Sequence, residues 1–146
     1  MNDPLGERIK DQYENRTRYF LPRRTFTILR LDGKAFHTYT KGLKKPFDKD
    51  LYEDMDNAII ATISEIQGSV FAYTQSDEIS ILLTDFATPQ TDAWFDGNIQ
   101  KICSIAASIM TAEFNKIRWG RFLGGNIPPS AYFDCRTFTI PDRTEV

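Results

Sequence analysis

The sequence predicts an α+β fold of the ferredoxin-like, split-βαβ type, an antiparallel sheet with two helices on one face. Three observations point there. Four short runs, TFTILRLD, SVFAYT, ISILLTD and AYFDCRTFTI, combine apolar residues with β-branched ones, as strands do. Two longer stretches, 48–67 and 91–117, carry apolar residues at a helical step. Their order, after an opening helix, is β-α-β-β-α-β. This fold serves many functions, so the chemistry must be argued from particular residues.

The elements follow from local signals. Asp3 can cap a first helix, Pro4 suits its first position, and Leu5, Ile9 and Tyr13 repeat at helical spacing. That helix should fade before Leu21-Pro22. In the first strand, 25–32, the apolar set is Phe26, Ile28 and Leu31. GKAFHTYTKGLKKPF reads as a loop, broken by Gly42 and Pro46. Asp48 can cap the next helix, built on Leu51, Met55, Ile59, Ile63 and Ile66 and stopped by Gly68. Two strands then flank the polar tip QSDE. Thr91 is the expected cap of the long helix, with Trp94, Ile102, Ala106, Ile109 and Phe114 on a common side and Gly97 as a weak point near its start. A Gly- and Pro-rich loop, 119–130, leads to the last strand.

Composition narrows the classes. The 146 residues fit one domain, and 41% apolar residues supply a core. No apolar run approaches the roughly 20 residues of a membrane span, and the first residues lack an apolar signal-peptide region. Cys103 and Cys135 stand far apart without metal-site spacing, which suits reduced thiols in a cytoplasmic protein. The net charge of −2 is not the footprint of a protein coated in basic charge, so a nucleic-acid partner needs a local patch or an oligomer.

Two short stretches carry chemistry. RLDGKAFH places Asp32 and Gly33 at the end of a strand whose continuation does not read as a return strand. Ser76-Asp77-Glu78 forms a hairpin tip with adjacent acids and no glycine, although tight hairpin turns favour glycine. Polar residues are ordinary at turns, so either stretch alone is weak. In a β-α-β-β sheet, however, the end of the first strand comes close to one end of the hairpin. If the register brings Asp32 beside Asp77 and Glu78, the crowded carboxylates call for a cation. Carboxylate oxygens combined with phosphate oxygens are what Mg²⁺ takes.

The strings RLDGKAFHTYTKGLKKPFDKDL and AYTQSDEISILLTD resemble the two metal-binding motifs of the tRNA(His) guanylyltransferase family and its bacterial and phage-like relatives. The resemblance runs from YENRTRYF to FDCRTFTIP, most of the chain. It implies a single palm-like catalytic domain over 1–146, truncated relative to the family, that adds nucleotides to the 5′ end of tRNA in the 3′–5′ direction. Asp32, Asp77 and Glu78 would be catalytic. Asp32, Asp77 and the carbonyl of Gly33 would hold two Mg²⁺ ions. Lys34, Ala35, Phe36, His37, Lys45, Ser76 and Lys101 match positions near the nucleotide. GTP, ATP and tRNA would be partners, with a homo-oligomer as the working form.

Blander accounts exist for several of these. Lys101 can simply snorkel from an apolar helix, Lys45 can be solvated, and Phe36, Tyr39, Trp94 and Trp119 are core candidates. Arg23 and Arg24 can flank a sheet edge or meet RNA phosphate. Ala35 also departs from the asparagine usual in eukaryotic members. Two competing functions remain at this stage: a nucleotidyl cyclase or oligonucleotide synthetase acting on free NTPs, and a non-catalytic palm module.

Overall fold

The computed structural model describes residues 3–146. Its sheet has four strands, β1 (Phe26–Gly33), β2 (Ser69–Gln75), β3 (Glu78–Leu83) and β4 (Phe133–Ile140), in the order β2-β3-β1-β4 with all neighbours antiparallel. The split-βαβ expectation is therefore met. Because side chains alternate across a strand, one face presents Leu29, Leu31, Ile79 and Ile81, all fully buried. Two long helices cover that face, α3 (Lys49–Ser64) and α4 (Ile99–Arg121), contributing Met55, Ala58, Ile102, Ala106, Met110 and Phe114 to the same cluster.

The ends of these helices explain their boundaries. The Asp48 carboxylate accepts from the Leu51 amide at 3.0 Å and starts α3 where the sequence indicates. The start of α4 differs from expectation. Thr91 does not cap it; its hydroxyl accepts from the Thr88 amide at 2.8 Å in a separate turn. Phe95, Asp96 and Gly97 all take positive φ, which breaks the helical path, and the Asn98 carboxamide caps α4 by accepting from Lys101 at 3.1 Å. Gly97 is thus the stop rather than a soft point within one helix.

Two smaller helices frame the rest. The first, α1 (Pro4–Gln12), is capped by Asp3 as its sequence suggests. None of its residues is buried, however, and Leu5, Ile9 and Tyr13 face solvent. The stretch after β1, read as a loop, contains the single turn α2 (Phe36–Tyr39). No helix among the described residues is long and apolar enough to cross a membrane.

Candidate nucleotide and metal site

The site forms where β1 ends and β3 begins. Register pairs Asp32 with Glu78 on one side and with Asp134 on the other. Residues directly opposite share a face, so Gln75, Glu78, Asp32 and Asp134 form one row across the open face of the sheet. Asp77 occupies the adjoining turn, and its carbonyl accepts from the Gly33 amide at 3.2 Å. Backbone register sets Asp32 opposite Glu78 and Asp134, and the turn that carries Asp77 adjoins them. Asp134 belongs to the FDCR segment, and only the pairing of β4 with β1 reveals its place.

The acids differ in their compensation. Arg30 pairs with Glu78, and Arg136 lies 3.8 Å from Asp134. Among the described residues, neither Asp32 nor Asp77 has a cationic partner within 4.0 Å; the Ser76 hydroxyl donates to Asp77 at 3.2 Å. No three such side chains among the described residues converge as a ready cage for an ion. Mg²⁺ does not require one, since it usually takes one or two carboxylates and completes its shell with water and phosphate oxygens. The hard oxygens of Asp32 and Asp77 fit that chemistry.

Backbone geometry supplies the remaining features. Gly33 lies in extended backbone, so it is not the turn residue that its position after Asp32 suggests. Its lack of a side chain serves close approach: a Cβ there would stand 2.6 Å from the Phe36 ring and 3.1 Å from the Asp77 Cβ. The left-handed turn falls two residues later, at Ala35 with φ 51°. The Lys34 amide donates to the Tyr132 carbonyl at 2.8 Å, whereas those of Ala35, Phe36 and His37 have no backbone acceptor among the described residues. Oriented amides of this kind suit an anion. Ser76 also takes positive φ, which lets a two-residue turn form without glycine.

Beside the acids opens a cleft of about 300 Å³, lined in part by Phe36, His37, Lys44, Lys45, Tyr52 and Ser76. Four residues named from the sequence, Phe36, His37, Lys45 and Ser76, thus share one cavity, with Phe36 buried as its floor. The Lys34 side chain points elsewhere, with Nζ 5.9 Å from the centre of the Tyr132 ring. Lys101 does not join the site within this chain. It follows the Trp94–Gly97 turn, which packs near Thr27 and Leu83 at the opposite end of β1 and β3, and its Nζ lies 4.9 Å from the Phe95 ring centre. Asp32 lies five residue steps along β1 from Thr27, about 17 Å of sheet. Arg23 is held at that far end too, by Asp85 at 2.7 Å and the Thr91 carbonyl at 2.8 Å.

A sheet of this order, with acids at the end of its central strand and at the neighbouring hairpin tip, matches a known architecture. Residues 6–141 match the model of the tRNAHis guanylyltransferase family. The chain belongs to that family. A bacterial tRNA(His) guanylyltransferase-like protein, solved in complex with ATP, is 44% identical with a TM-score of 0.87, over 94% of this chain and 59% of that one. A bacterial tRNA(His) guanylyltransferase-like protein in complex with GTP gives the same identity and score, over 64% of the solved chain. The tRNA(His) guanylyltransferase of Schizosaccharomyces pombe is 30% identical over 90% of this chain and 48% of its own length. The second such enzyme of Arabidopsis thaliana is 31% identical over 80% and 21%. The chain therefore spans less than half the length of these curated relatives.

Proposed function

We propose that this chain performs metal-dependent nucleotidyl transfer to the 5′ end of tRNA in the 3′–5′ direction, either guanylylation or repair of a shortened end. The observation that supports the reading is that Asp32 ends β1 and Asp77 sits in the adjoining turn, neither with a cationic partner among the described residues, beside a cleft of about 300 Å³. The bacterial relatives solved with ATP and GTP support nucleoside triphosphates as its ligands.

In this reading Asp32, Asp77 and the Gly33 carbonyl hold the ions, two in expectation, and Glu78 supports them from across the strand pair. Bound Mg²⁺ would neutralise phosphate charge and lower the pKa of the attacking hydroxyl. The free amides of Ala35, Phe36 and His37 orient phosphate oxygens. Lys45, His37 and Ser76 line the cleft beside them and donate to the same anion. The 3′-hydroxyl of the incoming NTP attacks the 5′ phosphorus of the RNA, forming a phosphodiester. Pyrophosphate leaves from a triphosphate end, or AMP from an end previously adenylylated by ATP. Fixed donors around the phosphates favour the charge that develops in transfer.

Calorimetric titration with GTP and ATP tests this directly. Binding is expected to require Mg²⁺ and to vanish in Asp77→Ala while the unfolding transition is retained. Mg²⁺-independent binding, or nucleotide addition that survives in Asp77→Ala, would overturn the metal assignment. Product formed from free NTPs without RNA would instead select the cyclase or synthetase chemistry.

A further inference from the structure

The face of the sheet opposite α3 and α4 is graded along the strands. Next to the acidic row lies a row of Tyr73, Ser80, Arg30 and Arg136, and beyond it one of Phe71, Leu82, Ile28 and Phe138. Successive rows stand about 7 Å apart, two residues of strand rise. Ile28 and Leu82 form a buried floor, while Tyr73, Phe71 and Phe138 stand above it at 62%, 46% and 41% exposure. Acid, guanidinium and aromatic ring thus follow one another from the reaction site outward.

We propose that this open face is a platform for unpaired RNA nucleotides next to the reacting end, with bases stacked on Tyr73 and Phe71 and phosphate held by Arg136. The inference rests on nucleotidyl transfer at Asp32 and Asp77 and adds where the RNA lies. Charge decides between RNA and a second copy of the chain. Cores of protein interfaces are depleted in charged residues, yet two of these three rows carry them. Single-stranded RNA is instead recognised by aromatic rings and guanidinium planes on a sheet. A guanidinium has five donors, so the contact of Arg136 with Asp134 leaves donors for phosphate.

The test is fluorescence anisotropy with a short, labelled, single-stranded RNA bearing a 5′-monophosphate, in Mg²⁺, alongside titration with GTP. Tyr73→Ala and Phe71→Ala should each weaken RNA binding by about fivefold to a hundredfold. Both should leave Mg²⁺-dependent GTP binding and the unfolding transition unchanged, and Tyr73→Phe should retain RNA affinity. Arg136→Gln should reduce the slope of log affinity against log salt by about 0.7. Unchanged RNA affinity in both aromatic variants overturns the platform, as does equal affinity for the same RNA in a blunt duplex. A change of molecular mass by light scattering in those variants assigns the face to a second copy and overturns it equally. Wild-type binding of GTP without RNA removes the platform and leaves the proposed reaction standing. RNA binding lost in the aromatic variants, without Mg²⁺-dependent GTP binding in wild type, does the reverse.

Discussion

Two acidic centres in this molecule are built on opposite terms. Asp54 is buried between α3 and α4, where its carboxylate accepts from Arg118 at 2.8 Å and from Arg121 at 2.7 Å. Both Asp54 and Arg118 are 1% exposed, and Arg118 also donates to the Tyr39 hydroxyl at 3.4 Å. Asp32 and Asp77 stand at the sheet's end with no cationic partner among the described residues. A carboxylate whose charge is answered inside the fold holds elements together, whereas one left unanswered beside others of its kind awaits a ligand. The two centres meet through one path: Tyr39 stacks on Phe36, ring centres 5.0 Å apart, and Phe36 packs against Gly33.

Breaking the enclosed centre should have the largest effect. Arg118→Ala leaves Asp54 with part of its charge unmet and is expected to cost about 3–5 kcal/mol in denaturant unfolding. Replacing the pair together, Asp54→Leu with Arg118→Met, should cost clearly less than that single change. If Arg118→Ala is instead nearly neutral, the contrast between the centres fails.

The far end of the sheet offers an intermediate case. Burial alone would raise the Asp85 pKa, but the Arg24 amide and the Arg23 guanidinium outweigh it and hold the group below the usual carboxylate range. A depressed folded pKa means that its stabilisation is complete above about pH 4 and is lost as pH falls through the folded value. Asp85→Asn should therefore cost about 1–2 kcal/mol at neutral pH and flatten the acid limb of the stability profile. An unchanged acid limb would remove Asp85 as a contributor.

The open centre should respond in the opposite sense. Like charges directly opposite on paired strands destabilise, so Asp32→Asn is expected to raise stability by about 0.2–1 kcal/mol in chelator. The same variant should lose any thermal stabilisation by Mg²⁺ with GTP. A drop in stability in chelator would show that Asp32 is already compensated. Least of all, Ala35→Gly should stabilise by up to about 1 kcal/mol, because glycine accepts the left-handed backbone that alanine adopts there.

Much of this architecture was legible in residues alone. Strand alternation, helical steps and the carboxylate caps at Asp3 and Asp48 are local signals, and the local geometry follows them. Asp32 and Asp77 stood out because each breaks a local habit, one by ending a strand without a return, the other by turning without glycine. What stayed hidden depends on partners distant in the chain. Asp134 becomes part of the acidic row only through strand register, and the Asp54–Arg118 pair only through the packing of two helices. The place of Lys101 was hidden for a related reason: a motif match does not say at which end of a sheet a helix begins.

The pairing of β4 with β1 has a consequence in time. Residues about a hundred positions apart must find each other before Asp32 and Asp134 become neighbours. Such long-range pairings make folding slow relative to helical bundles of similar size. During synthesis β1 emerges first, and until β4 arrives it keeps one unpaired edge, a template for wrong partners. The complete acidic row therefore forms only after β4 has been made and has found β1.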